Sequence, residues 1–289
     1  MNVLTAPASH PKAPVLELVG ERTPARVLLR DLWAHRDLLM MLARQDYRSR
    51  YRSASLGLIW AVALPLLQGL VIAIVFTHLT GSGRAAAFIP YVISGVTAYG
   101  YVSSSITASS TAIVDSGAIA SRLYFPRMVL PMITPTANLP GLLMGLALAT
   151  VISILTTGHV GLSLLMLPIA TLALWLLVVT FGAVLAMLHV YSRDIRYIVQ
   201  AILLVLFYAT PVIYRLDGPR GVVALPHGLV PYVLANPVTG VVQLVRFAII
   251  GNASRVGTAI AVSGIWMAAL AIVSVVVYSR LERVACDRL

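Results

Sequence analysis

Charged side chains and cysteines are both scarce in this chain. Only 11% of its 289 residues are charged and 59% are hydrophobic, whereas about 25% charged residues is usual for a soluble domain. A water-facing surface cannot be built from so few charges. The single cysteine, Cys286, excludes an intrachain disulfide and the ligand spacing of a cysteine metal site. We therefore predict an integral membrane protein without a metal centre.

Acidic residues are the scarcer charge, with 10 Asp and Glu against 21 Lys and Arg, and beyond the N-terminal segment no two form an obvious pair. An enzyme acting on lipid-linked sugars usually needs an acid, a base or a metal-binding carboxylate. A transporter driven by protons or sodium usually carries ionisable residues inside its spans. The motif G-x-x-x-x-G-K-[ST], which binds nucleotide phosphates, is also missing. We predict no catalytic residue and no cofactor site in this chain.

Long uncharged runs dominate what is present. A helix needs about 20 apolar residues to cross the hydrocarbon core of a membrane, and short polar turns separate runs of that length. We predict an all-α fold with six transmembrane helices. Their approximate bounds are 56–79, 85–114, 128–156, 160–190, 195–214 and 256–279.

The run before the last predicted span is also poor in charge, but prolines interrupt it at intervals too short for a spanning helix. We predict that residues 221–250 form a re-entrant or interfacial segment outside the cytoplasm. Asn236 followed by Pro237 is typical of an N-cap and the first residue of a helix. It predicts a short amphipathic helix that reaches Gly251.

The part of the chain before the first span is polar and basic. We predict a flexible cytoplasmic tail over residues 1–25 and an amphipathic interfacial helix over residues 26–55, because apolar side chains recur near one helical face. No apolar run precedes the first span, so no signal peptide is predicted. Most basic residues fall on one side of the predicted spans. The positive-inside rule then places both termini in the cytoplasm.

Several motifs occur in order along the chain. The first is RDLL at 36–39, followed by RQDYRSRYRS at 44–53 and LGLIW at 56–60. The others are RLYFPR at 122–127, RDI at 193–195 with ATPVIY at 209–214, and NPVT at 236–239. Together they resemble the permease subunits of polysaccharide and teichoic acid exporters in the ATP-binding-cassette superfamily.

This resemblance implies a homodimeric permease in the cell inner membrane, working with two separate nucleotide-binding ATPase subunits that bind ATP and Mg. Its substrate would be a lipid-linked polysaccharide of the O-antigen, cell-wall galactan or teichoic acid type. Membrane lipids are expected partners and nucleic acid is not. An ABC permease for drugs or small lipids, and a membrane-embedded transferase for lipid-linked sugars, remain the alternatives.

A short polar loop, residues 115–127, lies between the second and third predicted spans. In the family that the chain resembles, this loop is a coupling helix seated on the ATPase. The residues that we expect to couple ATP hydrolysis to transport are Asp115, Arg122, Phe125 and Arg127.

A cluster of arginines precedes the first span. Guanidinium groups can hold phosphate oxygens in a bidentate fork, so this cluster predicts the place where a phosphate-bearing lipid anchor enters. Simple positive-inside charge is the alternative explanation. The residues are Arg44, Arg48, Arg50 and Arg52.

Hydroxyl side chains are frequent in the second predicted span. Small hydroxyl residues often mediate close helix packing, but they could also offer hydrogen bonds to a moving glycan, with aromatic rings beside them. The predicted glycan conduit consists of Ser94, Thr97, Tyr99, Tyr101, Ser105, Phe207 and Tyr208.

Overall fold

The computed structural model describes residues 25–51, 59–80, 85–116, 127–158, 161–216, 227–253 and 255–286. Every regular element in these ranges is helical, which confirms the all-α prediction. The first five helices are α1 (Ala25–Ala34), α2 (Arg36–Tyr51), α3 (Ile59–Thr80), α4 (Ala85–Asp115) and α5 (Leu130–Thr157). They are followed by α6 (Leu167–Tyr191), α7 (Ile195–Ala209), α8 (Val230–Ala235), α9 (Pro237–Ile250) and α10 (Val256–Cys286).

Three helical stretches in the described ranges are long and apolar enough to cross a membrane. They are Arg127–Thr157, Leu162–Tyr191 and Val256–Ser279. Shorter apolar stretches lie in α3, α7 and α9. The predicted fifth span differs most, because α7 ends at Ala209 after 15 residues. Such a helix is about 22 Å long, less than the roughly 30 Å of a hydrocarbon core.

The predicted N-terminal helix is present as α1 and α2, with a turn residue between them. Backbone hydrogen bonds from His35 N to Asp31 O and from Leu39 N to His35 O, both 3.0 Å, continue across the turn. Leu32 and Leu39 pack against an apolar cluster that contains Tyr278 of α10. The two helices therefore hold their apolar side against the helix bundle.

The hydroxyl-rich helix α4 lies in the middle of the bundle, in contact with α3, α5, α6, α7 and α9. Small side chains permit this position. A Cβ at Gly182 of α6 would lie 2.5 Å from Cβ of Ser109. The Ser109 hydroxyl is buried and donates to the Pro131 carbonyl at 2.8 Å. Close helix packing is thus one role of the α4 hydroxyls. It is one of the two explanations that the sequence offered for them.

The bounds predicted for α9 are confirmed. Asn236 Oδ1 accepts a hydrogen bond from Val238 N at 2.9 Å, Pro237 follows the cap, and Gly251 ends the helix in the left-handed conformation at φ 73°. The predicted amphipathic character is wrong, since α9 is buried on nearly every side among α4, α5, α6 and α10. Its polar residues Gln243 and Arg246 are buried as well.

The two ends of α9 lie at different levels of the bundle. Beside its first residues, Trp266 Nε1 donates to Ala235 O at 2.9 Å, well inside α10. Near its last residues, Ile249 O accepts from Ser153 at 3.3 Å, close to the end of α5. With 14 residues, α9 is about 21 Å long and runs only part of the way along the bundle.

Candidate functional site

Arg50, near the end of α2, is the centre of a polar network that joins three helices. Its Nε and Nη2 donate to the two carboxylate oxygens of Asp46 at 3.1 and 2.7 Å. Nη2 also donates to Thr134 Oγ1 at 3.0 Å, and Nη1 donates to Asn138 Oδ1 at 3.1 Å. Asn138 Nδ2 in turn donates to Ser105 Oγ at 2.9 Å. The network fastens α2 to α5 and α4.

A cleft of about 300 Å³ opens beside this network, between α3, α4, α5 and the end of α2. We call it the Arg50 cleft. One side is apolar and the other carries a guanidinium, an amide and hydroxyls. The lining residues are Arg50, Trp60, Leu64, Pro65, Thr97, Gly100, Tyr101, Ser104, Asn138, Gly141 and Leu142.

The hydroxyls around the Arg50 cleft differ in their hydrogen bonding. The Tyr101 hydroxyl donates to Pro135 O at 3.0 Å, and the Ser104 hydroxyl donates to Tyr101 O at 3.3 Å. Thr97 is only 5% exposed, and its Oγ1 has no partner in the part of the chain that the structure describes. Buried polar groups are nearly always hydrogen-bonded. Thr97 therefore carries a buried hydroxyl with unused hydrogen-bonding capacity, and its oxygen is not open to the cleft.

The predicted lipid-anchor arginines are divided by the structure. Arg50 points toward α5, whereas Arg44 and Arg48 line an open groove on the exposed side of α2 together with Met40 and Met41. Arg52 lies outside the described residues. The three described arginines therefore do not form one uniform cluster, and a role in binding the lipid anchor stays a prediction.

The predicted conduit residues fall into three places. Thr97 and Tyr101 line the Arg50 cleft, and the buried Ser105 accepts the Asn138 hydrogen bond. Ser94 and Tyr99 are buried in the protomer core, where their hydroxyls donate to the carbonyls of Tyr91 and Leu203.

The remaining two conduit residues lie near the C-terminal end of α7. Phe207 packs edge-on against Tyr99, with ring centroids 5.2 Å apart, and Tyr208 is 67% exposed. Within one protomer, the predicted set does not line a single surface. Its assignment as a conduit stays a prediction.

Only the two ends of the predicted coupling loop are described. Asp115 ends α4 and accepts a hydrogen bond from Arg196 Nη2 of α7 at 3.5 Å. Arg127 begins a short 3₁₀ turn before α5. Arg122 and Phe125 lie outside the described residues, so the coupling role of the set stays a prediction.

Arg246 is a central residue that the sequence interpretation missed, since it was treated only as outer-face charge. It is 0% exposed on α9. Its Nε donates to Tyr91 O at 3.3 Å, Nη1 to the Tyr91 hydroxyl at 2.8 Å and to Pro211 O, and Nη2 to Val212 O at 2.7 Å. Its guanidinium carbon is 3.6 Å from the Tyr91 ring centroid. No described carboxylate forms an ion pair with it. The sequence feature that could have identified Arg246 as important is that it is a lone arginine within a largely apolar helix.

Two of the sequence motifs meet beside Arg246. Asn236 Nδ2 donates to Thr210 Oγ1 at 2.9 Å and to Ala209 O at 3.4 Å. The segment after α7 is thus held from one side by the α9 cap and from the other by Arg246. Polar groups, rather than regular backbone pairing, fix the course of this segment.

Comparisons with known proteins agree with the motifs. A family model described as ABC-2 type transporter matches residues 37–250, which include the Arg50 network and Arg246. The O-antigen export system permease protein RfbA of Myxococcus xanthus is 29% identical over 194 residues, which cover 66% of this chain and 73% of that protein. Two proteins of the same name from Klebsiella pneumoniae are each 27% identical over 184 residues, which cover 63% of this chain and 70% of each relative.

Proposed function

Because the chain belongs to the ABC-2 type transporter family, we propose that it is the membrane permease of an ATP-driven polysaccharide exporter. Three relatives named O-antigen export system permease are the observation that carries this proposal. The resemblance found from the sequence motifs is thereby confirmed at the level of the family. A separate nucleotide-binding subunit supplies ATP hydrolysis in this proposal.

The proposed assembly is a homodimer with two ATPase subunits in the inner membrane. Each protomer crosses six times, with α7 and the segment after it together forming the fifth crossing, and α8 and α9 dip in from the outer side and return. The different levels of the two ends of α9 support this path. The coupling contacts to the ATPase are made by the loop of Asp115, Arg122, Phe125 and Arg127.

The proposed substrate is a polysaccharide on a phosphate-bearing lipid. Arg44 and Arg48 lie on the exposed side of α2, where they meet anionic headgroups of the inner leaflet. The glycan then leaves along a path between the two protomers. The exposed ring of Tyr208 supports the placement of α7 beside that path.

Transport by the reconstituted complex tests the proposed function. With its ATPase in proteoliposomes, the permease should move a lipid-linked polysaccharide in an ATP-dependent manner, measured by the accessibility of the glycan to an external lectin. Fluorescent phospholipids and hydrophobic dyes, assayed in the same vesicles, should not move faster with ATP. Movement of only these small amphiphiles would instead favour the drug or lipid exporter.

Cysteine labelling tests the topology. Cys286 is the sole cysteine, so a membrane-impermeant maleimide should label it only after the membrane is opened. In the Cys286→Ser background, Asn252→Cys should be labelled in intact cells, because Asn252 is exposed just after α9. The Cys286→Ser variant, which has no cysteine, is the negative control for labelling. Labelling of native Cys286 from outside would refute an even number of crossings.

A further inference from the structure

We propose that the Arg50 cleft binds the sugar–phosphate junction of the substrate, with Arg50 facing the phosphate and with Trp60 and Ser104 facing the first sugar. This inference rests on the proposed function, because it takes a lipid-linked glycan as the ligand. It assigns one site within a protomer to the two chemical groups that meet at the junction. The Arg50 cleft does not bind the repeating units of the polymer.

The Arg50 cleft is large enough for the sugar–phosphate junction but too small for a stretch of the polymer. Its volume of about 300 Å³ is at the lower end of the range for small-molecule sites, roughly 300 to 1,000 Å³. One sugar ring with an attached phosphate fits such a volume, and several consecutive sugars do not. The Arg50 cleft is therefore suited to one end group of a long chain.

Arg50 retains the means to bind phosphate. A guanidinium has five N–H donors, and Asp46, Thr134 and Asn138 accept four hydrogen bonds from Arg50. One donor on Nη1 remains, and the Arg50 side chain is 37% exposed. Asn138, held by Ser105, fixes the plane of the guanidinium. The group is thus oriented before a ligand arrives.

The wall opposite the guanidinium suits a sugar. Ser104 is an exposed residue of the lining whose hydroxyl donates to Tyr101 O at 3.3 Å, and its oxygen can accept a hydrogen bond from a sugar hydroxyl. Trp60, which is 46% exposed, and Tyr101 present aromatic rings to the same cleft. At Gly100, a Cβ would meet nothing within 4 Å. The absence of a side chain at this position leaves room for the ring.

Asp46 competes with a phosphate for the same guanidinium. Its two oxygens occupy the Nε and Nη2 donors of Arg50, and its charge repels an anion at short range. Removal of this charge should strengthen phosphate binding. A purely structural ion pair predicts no such gain, so Asp46 separates a ligand-binding role of Arg50 from a packing role.

Binding to the intact permease–ATPase complex in nanodiscs tests the proposal. The probe is a short-chain polyprenyl diphosphate monosaccharide, and its affinity is measured by displacement of a fluorescent analogue. Inorganic pyrophosphate and octyl glucoside serve as phosphate-only and sugar-only competitors. Gly100→Leu is the central variant, because the leucine fills the Arg50 cleft without a clash at Cβ.

Gly100→Leu should abolish saturable binding while the complex remains folded. Ser104→Ala should weaken the probe about fivefold, as expected for one lost hydrogen bond, and it should remove competition by octyl glucoside. Arg50→Gln should weaken the probe about 30-fold, as expected for a lost charged hydrogen bond, and remove competition by pyrophosphate. Asp46→Asn should tighten the probe about threefold through the loss of like-charge repulsion.

Matched controls lie outside the Arg50 cleft. Arg30→Gln changes an exposed arginine on α1, and Thr171→Val changes a threonine whose hydroxyl donates to Leu167 O. Both should bind like the parent. Parent-like affinity in Gly100→Leu, or weaker binding in Asp46→Asn, would overturn the site. If the probe binds in the cleft but the complex exports no polysaccharide, the proposed function fails and the site stands.

Discussion

Arg246→Met should destabilise the folded permease by several kcal/mol, roughly 1 to 3 for each buried acceptor that loses its donor. The substitution removes every hydrogen bond that Tyr91, Pro211 and Val212 receive from the guanidinium. Each buried acceptor left without a donor costs about 1 to 3 kcal/mol. Because these groups join α4, α9 and the segment after α7, the loss acts on three parts of the bundle at once.

We expect the unfolding temperature of Arg246→Met in detergent to fall by roughly 10 °C. The variant loses a few kcal/mol of stability, and each kcal/mol lowers the unfolding temperature by about 2 to 4 °C. Fluorescence-detected size-exclusion chromatography after heating measures this. Arg246→Lys should be intermediate, since an ammonium keeps the charge but lacks the planar fork. Arg30→Met, on the exposed surface of α1, is the control. Equal stability of Arg246→Met and the parent would show that the buried guanidinium does not hold the bundle together.

The sequence predicted features that depend on neighbouring residues. Asn236 and Pro237 specify the start of α9, because the cap side chain bonds to an amide two residues later. Gly158 and Gly251 end their helices in the left-handed conformation that glycine adopts most readily. The apolar runs likewise gave most helices to within a few residues.

The sequence did not predict features that depend on distant partners. Arg246 and Tyr91 are 155 residues apart in the chain, and Arg50 and Asn138 are 88 apart. Charge counting treated both arginines as surface residues for that reason. The short α7 was also missed, because residues 210–214 carry no charge but are held by the side chains of Asn236 and Arg246 rather than by helix hydrogen bonds.

The candidate site shows the same division. A pattern of hydroxyls on α4 is visible in the sequence, but their roles depend on which neighbour each one faces. Ser94 bonds to the carbonyl three residues before it, whereas Thr97, one turn later, faces α5 and the Arg50 cleft. The lack of a described hydrogen-bond partner for Thr97 depends on how the neighbouring helices pack around it, and no local pattern encodes it.

Gly240→Ala should destabilise the permease strongly, because α9 and α10 are in backbone contact at this residue. A Cβ at Gly240 would overlap the Ala259 carbonyl oxygen and Ser263 Oγ. Ser263 also accepts a hydrogen bond from Gly240 N at 3.1 Å and donates to Pro237 O at 2.6 Å. The two helices would have to separate, and both hydrogen bonds would weaken.

We expect Gly240→Ala to cost about 3 kcal/mol, the upper part of the range for overpacking a core, read as a lower unfolding temperature in the same heating assay. Gly264→Ala on α10 is the matched control, since a Cβ there meets nothing within 4 Å. It should be neutral or stabilising by up to about 1 kcal/mol, because alanine favours a helix over glycine. Adding Ser263→Ala to Gly240→Ala should not restore stability, since the overlap with the Ala259 carbonyl remains. Full rescue by that second change would place the conflict at the serine side chain and refute the backbone contact.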